Sequence, residues 1–245
     1  MSKSILLTHR DIWKRKPTLK ILYTDWYQQI TNQLVDGNTL ELGGGSGNLK
    51  EFAPDVICTD IVKVPWLDAV ADAQTLPFAD ECLSNIVLFD VLHHIENPTL
   101  FLNEAIRVLT GGGRIIIVEP YVSLLSWPIY KFIHPEPVDF NQNPLVITPP
   151  SENRKPFDAN QAMSKLIFEK HKEEFKNKFE KLTLIHKRYI SYLVYPLSGG
   201  FEHKSLIPSA LVAPMLKFEQ WLEFMGKLIA FRVFLVLEKT LENKI

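Results

Sequence analysis

The chain has 245 residues, of which 46% are hydrophobic, and it carries 27 Lys plus Arg against 28 Asp plus Glu. That length suits one α/β domain with insertions, and a net charge of −1 argues against nucleic acid as the main partner, because such domains usually carry a clear basic excess. The two cysteines, Cys58 and Cys82, lie in the apolar contexts VICTD and DECLSNIVL, so neither a disulfide framework nor a metal site built on thiolates is expected, and no metal is assigned.

Residues 11–35 read as a helix, because Ile12, Leu19, Leu22, Trp26, Ile30 and Leu34 recur on one side. NTLELG then reads as a strand, the glycines of 43–47 as a turn and NLKEFA as the helix after it. A second strand, DVICTDIV (55–62), carries Asp60, and a third, WLDAVADA (66–73), ends near Asp72. SNIVLF (84–89) is a fourth strand, followed by DVLHHIENP. NPTLFLNEAIRVL (97–109) is an amphipathic helix that the run Gly111-Gly112-Gly113 is expected to stop. RIIIVEP (114–120) is a fifth strand, apolar enough to be covered on both faces.

Strands alternating with helices at this rhythm imply βαβ units and a doubly wound, mostly parallel sheet with helices on both faces. Prolines crowd residues 121–157, and a segment with no lasting strand there reads as a lid over a cleft. The run 169–181 is a charged, solvated helix. Segments 181–195 and 227–239 are two late strands with helix between them, expected to form an antiparallel C-terminal edge. The longest late apolar run, 228–237, is interrupted by Arg232 and falls short of the roughly 20 residues of a membrane span. With the N-terminus too weakly apolar for a signal peptide, the expected location is cytoplasmic. The expected organisation is one domain: a helical cap (1–36), a cofactor-binding core (37–120), a lid (121–180) and C-terminal strands and helix (181–245).

LELGGGSGN (40–48) places four glycines behind a strand, where a ligand can approach the backbone without meeting Cβ atoms. Ligands of open α/β sheets bind outside the carboxyl ends of the strands, so this turn reads as a cofactor seat, with a plain tight turn as the alternative. It is not a P-loop, since no Lys-Ser or Lys-Thr follows. Nor is it the dinucleotide fingerprint G-x-G-x-x-G, because Asn48 occupies the third glycine position. The pattern present is E-x-G-x-G-x-G, from Glu41 through Gly43, Gly45 and Gly47.

With that pattern come Asp60 after the second strand, the stretch ADAQTLPFADECLSNIV and the stretch VLFDVLHHIENPTLFLNEAIRVLTGGGRIIIVEP. In this order the four motifs resemble the core of the class I S-adenosylmethionine-dependent methyltransferases, broadly of the ubiquinone/menaquinone type, over residues 38–120. The resemblance implies a seven-stranded Rossmann-like sheet and S-adenosylmethionine as cofactor, leaving as S-adenosylhomocysteine. It implies that Gly43, Gly44, Gly45 and Gly47 admit the methionine moiety to the loop backbone and that Glu41 orients the loop from beneath. Asp60 would accept from the ribose hydroxyls. Asp72 and the backbone of Ala73 would meet the adenine edge, Ile61 its face, and Asp90 would line the pocket near the sulfonium. Simple turn caps at Asp60 and Asp72, and an N-cap at Asp90, are the structural alternatives.

His93 and His94 follow the fourth strand where an acceptor should bind, so either could serve as a base or an acceptor contact, or simply pack at the start of the turn. His134 and Glu136, in IHPEP, form a polar pair within the otherwise apolar lid and are candidate acceptor contacts, with His134 a catalytic candidate beside His93 and His94. FDVLHHI stands where many nucleic-acid and protein N-methyltransferases carry an Asn/Asp-Pro-Pro-aromatic signature, so a small-molecule acceptor is favoured. Tyr121, Leu124, Leu125, Trp127, Ile129, Tyr130 and Phe132 point to an acceptor with an apolar part, or to ordinary lid packing. Oxygen is favoured over carbon as the methylated atom. The competing readings are a nucleotide-cofactor oxidoreductase on a similar sheet and a non-catalytic protein of the same fold.

Overall fold

In the computed structural model, which describes residues 2–241, seven strands form one sheet in the order β3-β2-β1-β4-β5-β7-β6. They are β1 (Thr39–Leu42), β2 (Ile57–Asp60), β3 (Ala69–Val70), β4 (Leu83–Phe89), β5 (Leu109–Pro120), β6 (Leu182–Ile190) and β7 (Arg232–Lys239). The first five pair in parallel, with β1 between β2 and β4. β7 runs antiparallel between β5 and β6, so the expected antiparallel C-terminal edge is a pair in which β6 lies outermost.

Both faces of the central strands are covered, and the period of two along a strand divides their side chains between two cores. Ile115 and Ile117 of β5, with Leu235 and Leu237 of β7, pack against Phe101, Leu102 and Ala105 of α3 (Pro98–Val108). Ile116 and Val118, with Phe234 and Val236, face α1 (Ser2–Arg15) and α2 (Pro17–Thr31), where Trp13, Leu22, Trp26 and Ile30 are buried. Full burial of such a side chain contributes on the order of 1.5–3 kcal/mol. This is why the continuous apolar run at 115–118 specifies the strand so firmly.

Several local expectations are corrected. The helix expected over 11–35 is two helices, because Lys16 is extended (φ −112°, ψ 90°) and Pro17 takes the first helical position of α2. NLKEFA forms a single 3-10 turn, Asn48–Glu51, since Pro54 bars continuation of a helix. The third strand shrinks to Ala69–Val70. Gly111–Gly113 do not stop α3, which ends at Val108 with Leu109 already extended; they lie inside β5, where the register with β4 shifts. Gly112 has φ +79°, the left-handed backbone that such an irregularity uses.

The proline-dense segment contributes one short helix, α4 (Trp127–Phe132). Beyond it come α5 (Met163–Lys165), a π turn (Leu166–Lys170), α6 (Lys172–Lys178), α7 (Val194–Ser198), α8 (Ser209–Trp221) and α9 (Gly226–Ile229). Thus the charged helix expected over 169–181 begins at Lys172, and α7 and α9 take residues assigned to the late strands. Among the described residues, no helix is long and apolar enough to cross a membrane.

Candidate active site

The carboxyl ends of β1, β2 and β4 open onto a cavity of about 870 Å³. At its floor, Gly43 has φ +65°, and a Cβ there would lie 2.3 Å from Val91 Cγ2. A Cβ on Gly44 would come within 2.9 Å of Glu41 Oε2. The loop is drawn onto β2 by two bonds: Gly44 N–H donates to the Thr59 carbonyl at 2.7 Å, and Gly45 N–H to Asp60 Oδ2 at 3.1 Å. Glycine is therefore required here by backbone conformation and by close approach together.

Glu41 is 3% exposed, and burial raises its carboxyl to about 7, while the Cys58 thiol donates to Oε2 at 2.7 Å. Burial and the neighbouring Glu41 push the Cys58 thiol up in turn, so it stays a neutral donor. Asp60 also accepts from Val62 N–H at 2.8 Å, and burial raises its pKa. Asp72 accepts from Gln74 N–H at 2.9 Å and lines the cavity together with Ala73 and Ile61, which is 53% exposed. The turn-capping readings of Asp60 and Asp72 thus coexist with their facing the cavity. Gly43, Gly44 and Gly45 line it as well; Gly47 does not, its Cβ position lying 3.3 Å from the Trp66 ring.

Asp90 reaches the cavity with φ +57°, but its carboxylate forms an ion pair with Arg232 of β7 and it does not cap the following turn. The charge expected to face a sulfonium is already matched by a buried guanidinium. Arg232 lies over the rings of Trp26 (4.9 Å) and Tyr195 (4.4 Å), so burial, which lowers its pKa, is outweighed by Asp90.

The opposite end of the cavity is polar. β4 ends in a 3-10 turn, Leu92–His94, which Glu119 at the end of β5 holds by accepting the N–H groups of Val91 and Leu92, both at 2.7 Å. The other oxygen of Glu119 meets His93 Nδ1 at 2.7 Å. Glu136 lies 3.5 Å from His93 Nε2 and 3.8 Å from His94 Nε2. Burial alone would lower the His93 pKa, but Glu119 and Glu136 reverse this and hold it at about 10. Burial and the charge of His93 push His94 down to about 4. Burial would raise Glu136, yet the surrounding histidines bring it to about 2. His93 is therefore a charged member of a salt-bridged group and a poor base, whereas His94 is neutral. His134 Nδ1 accepts the Glu136 N–H at 3.3 Å, and burial lowers its pKa.

Of the seven apolar lid residues singled out from the sequence, Ile129 and Tyr130 line the cavity, joined there by Ile133. Tyr121 is buried in the core, while Leu124 and Phe132 are 78% and 74% exposed and Leu125 and Trp127 also face outward. The apolar walls come instead from Tyr23, Tyr27, Phe89, Tyr195 and Phe201, with Leu6 of α1. Glu119 and Arg232 were not singled out for the site from the sequence. Each had a signal there: a charged residue directly bordering a run of apolar strand residues.

Residues 40–117, from β1 to near the end of β5, match the family described as a methyltransferase domain. Over these residues the chain is similar to the class I S-adenosylmethionine-dependent methyltransferases. The uncharacterized protein MJ1123 of Methanocaldococcus jannaschii is 32% identical over 106 residues, 40% of this chain and 52% of that protein. A demethylmenaquinone methyltransferase of Streptomyces griseus is 32% identical over 73 residues, 29% of this chain and 31% of that protein. The chain thus spans about half the length of the first of these relatives and less of the second. An S-adenosylmethionine-dependent methyltransferase of Thermotoga maritima shares the fold, with a TM-score of 0.53 at 12% identity over 97% of this chain and 96% of that one.

Proposed function

We propose that the protein transfers a methyl group from S-adenosylmethionine to an oxygen of a small-molecule acceptor with an apolar part. One observation carries this reading: a single cavity joins the glycine loop, Asp60 and Asp72 to the His94–Glu136 edge, with aromatic walls between. S-adenosylmethionine supplies an electrophilic methyl on a sulfonium, so the protein's task is to position, to exclude water and to manage one proton.

The residues fit that cofactor. The loop has no Cβ to block it, and Asp60 turns a carboxylate into the cavity beside it, suited to two vicinal hydroxyls. Asp72 with the Ala73 backbone, and the exposed side chain of Ile61, suit the edge and the face of an adenine. Glu41 braces the loop from beneath. The Asp90–Arg232 pair presents no net charge and shapes the wall. At the other end, His94 and Glu136 can orient an acceptor hydroxyl, which favours oxygen, and Ile129, Ile133 and Tyr130 can enclose an apolar body. The apolar acceptor is also in keeping with the relative whose name makes demethylmenaquinone its substrate.

Calorimetry with S-adenosylhomocysteine and with NAD tests the cofactor, and binding of NAD alone would overturn the proposal. Turnover of methyl-13C S-adenosylmethionine with small-molecule extracts tests the acceptor. A methoxy carbon resonance in the product supports oxygen, and a C-methyl resonance refutes it. Cofactor binding with no turnover of any extract would favour a non-catalytic role.

A further inference from the structure

His93 and His94 are consecutive, yet both rings turn the same kind of atom toward Glu136: Nε2 of His93 lies 3.5 Å from Oε2, and Nε2 of His94 lies 3.8 Å from Oε1. On each ring the other nitrogen faces a fixed oxygen, Glu119 Oε2 at 2.7 Å from His93 Nδ1 and the Asp158 carbonyl at 3.4 Å from His94 Nδ1. Glu119 is itself locked by the two backbone N–H groups of the 3-10 turn. The Glu136 carboxylate is held in place by Gln161 Nε2, which donates to the same Oε2 that faces His93. This is how proteins build metal-ligating histidines: a carboxylate or carbonyl fixes one ring nitrogen and leaves the other to coordinate.

The spacing agrees. The three candidate ligand atoms lie within 4.8 Å of one another. A tetrahedral ion with nitrogen and oxygen ligands at 2.0–2.2 Å has ligand–ligand edges of about 3.4 Å, close to the 3.5 Å from His93 Nε2 to Oε2, while His94 Nε2 stands 3.8 Å from the other oxygen, Oε1. A second observation is independent of those distances. Gln161, 2% exposed, lines the same cavity, and its buried Oε1 has no hydrogen-bond partner. A buried, unsatisfied acceptor calls for a donor, and a hydroxyl or water carried by an ion beside Glu136 would supply one.

We propose that Nε2 of His93, Nε2 of His94 and the Glu136 carboxylate form a site for a divalent ion of the zinc type, with its fourth position open to the cavity; on binding, the ion displaces to solvent the proton that His93 Nε2 otherwise holds toward Glu136. Two imidazoles and one carboxylate suit such an ion and not Mg2+ or Ca2+, which take oxygen ligands. His134 stays outside the set, since its Nδ1 is committed to the Glu136 N–H. The site stands on its own geometry; the ion's role rests on the methyltransferase reading. There it lowers the proton affinity of an acceptor hydroxyl: the O–H bond breaks, both electrons remain on oxygen, and the proton leaves to solvent.

The test is titration of tag-free, chelator-treated full-length protein with Co2+, followed by Zn2+ competition. One equivalent of Co2+ should give the strong visible d–d bands of a four-coordinate site. Glu136→Gln and His94→Gln should each abolish the bands and weaken binding at least tenfold, and Glu119→Gln should weaken it 10–100-fold. Two carboxamide variants on different elements guard against one that fails to fold. Substoichiometric binding, or unchanged bands in Glu136→Gln and His94→Gln, overturns the assignment. S-adenosylhomocysteine calorimetry on the same samples separates the two proposals: a protein that binds it but not Co2+ refutes the metal site and leaves the cofactor reading standing, and the converse does the opposite.

Discussion

Arg232 on β7 places its buried guanidinium against the Asp90 carboxylate at the end of β4, 142 residues earlier in the chain. This one pair ties the antiparallel strand to the floor of the cavity. The guanidinium also lies over the rings of Trp26, Phe89 and Tyr195, which belong to α2, β4 and α7. Removing one partner of a buried pair costs far more than the pair itself contributes, because the other charge is left without compensation. Arg232→Met should therefore destabilise the protein by about 3 kcal/mol in urea unfolding. Adding Asp90→Asn should recover part of that loss; a double variant no more stable than the single one would disprove the coupling.

Asp60 is the side chain with the clearest opportunity to hold the ribose, since it sits beside the loop and already accepts two backbone N–H groups that fix its plane. Asp60→Asn keeps the shape and removes the charge. S-adenosylhomocysteine affinity should fall by about 1–3 kcal/mol, the range for a hydrogen bond to a charged group. Unaltered calorimetric affinity would take Asp60 out of the site.

Glu41 makes stability depend on pH. Its folded pKa of about 7 lies above the ordinary 4.5, so the stability it contributes is complete below 4.5 and is lost as pH rises through about 7. The urea midpoint of the wild-type protein should decline across that window. Glu41→Gln should flatten the decline while keeping a partner for the Cys58 thiol. An identical slope in the two proteins would refute the assignment.

Gly43 and Gly45 separate steric fit from backbone conformation. Both have positive φ, +65° and +50°, but a Cβ on Gly43 would sit 2.3 Å from Val91, whereas one on Gly45 meets nothing nearer than 3.6 Å. Strain and overpacking together should make Gly43→Ala destabilising by about 2–4 kcal/mol, against about 1 kcal/mol for Gly45→Ala. Thermal unfolding of the two variants side by side measures the difference, and equal losses would show that the Val91 contact is relieved cheaply.

The sequence by itself determined the parallel core, the glycine loop at the end of β1 and most of the acidic positions around it. These signals are local: the continuous β-branched apolar run in RIIIVEP selects a strand, glycines behind TLEL demand a turn, and Asp60 and Asp72 follow strand ends where ligands of such sheets bind. Only the tertiary structure decided what these residues meet. It turned Leu124, Trp127 and Phe132 outward and built the apolar walls from α1, α2 and the 195–206 region instead. It matched Asp90 with Arg232, and it set Glu119 behind His93 with Glu136 in front. Pairings across 142 or 26 residues are chosen by how the strands order themselves in the sheet. That order is fixed by burying two cores at once, and no short window of sequence records it.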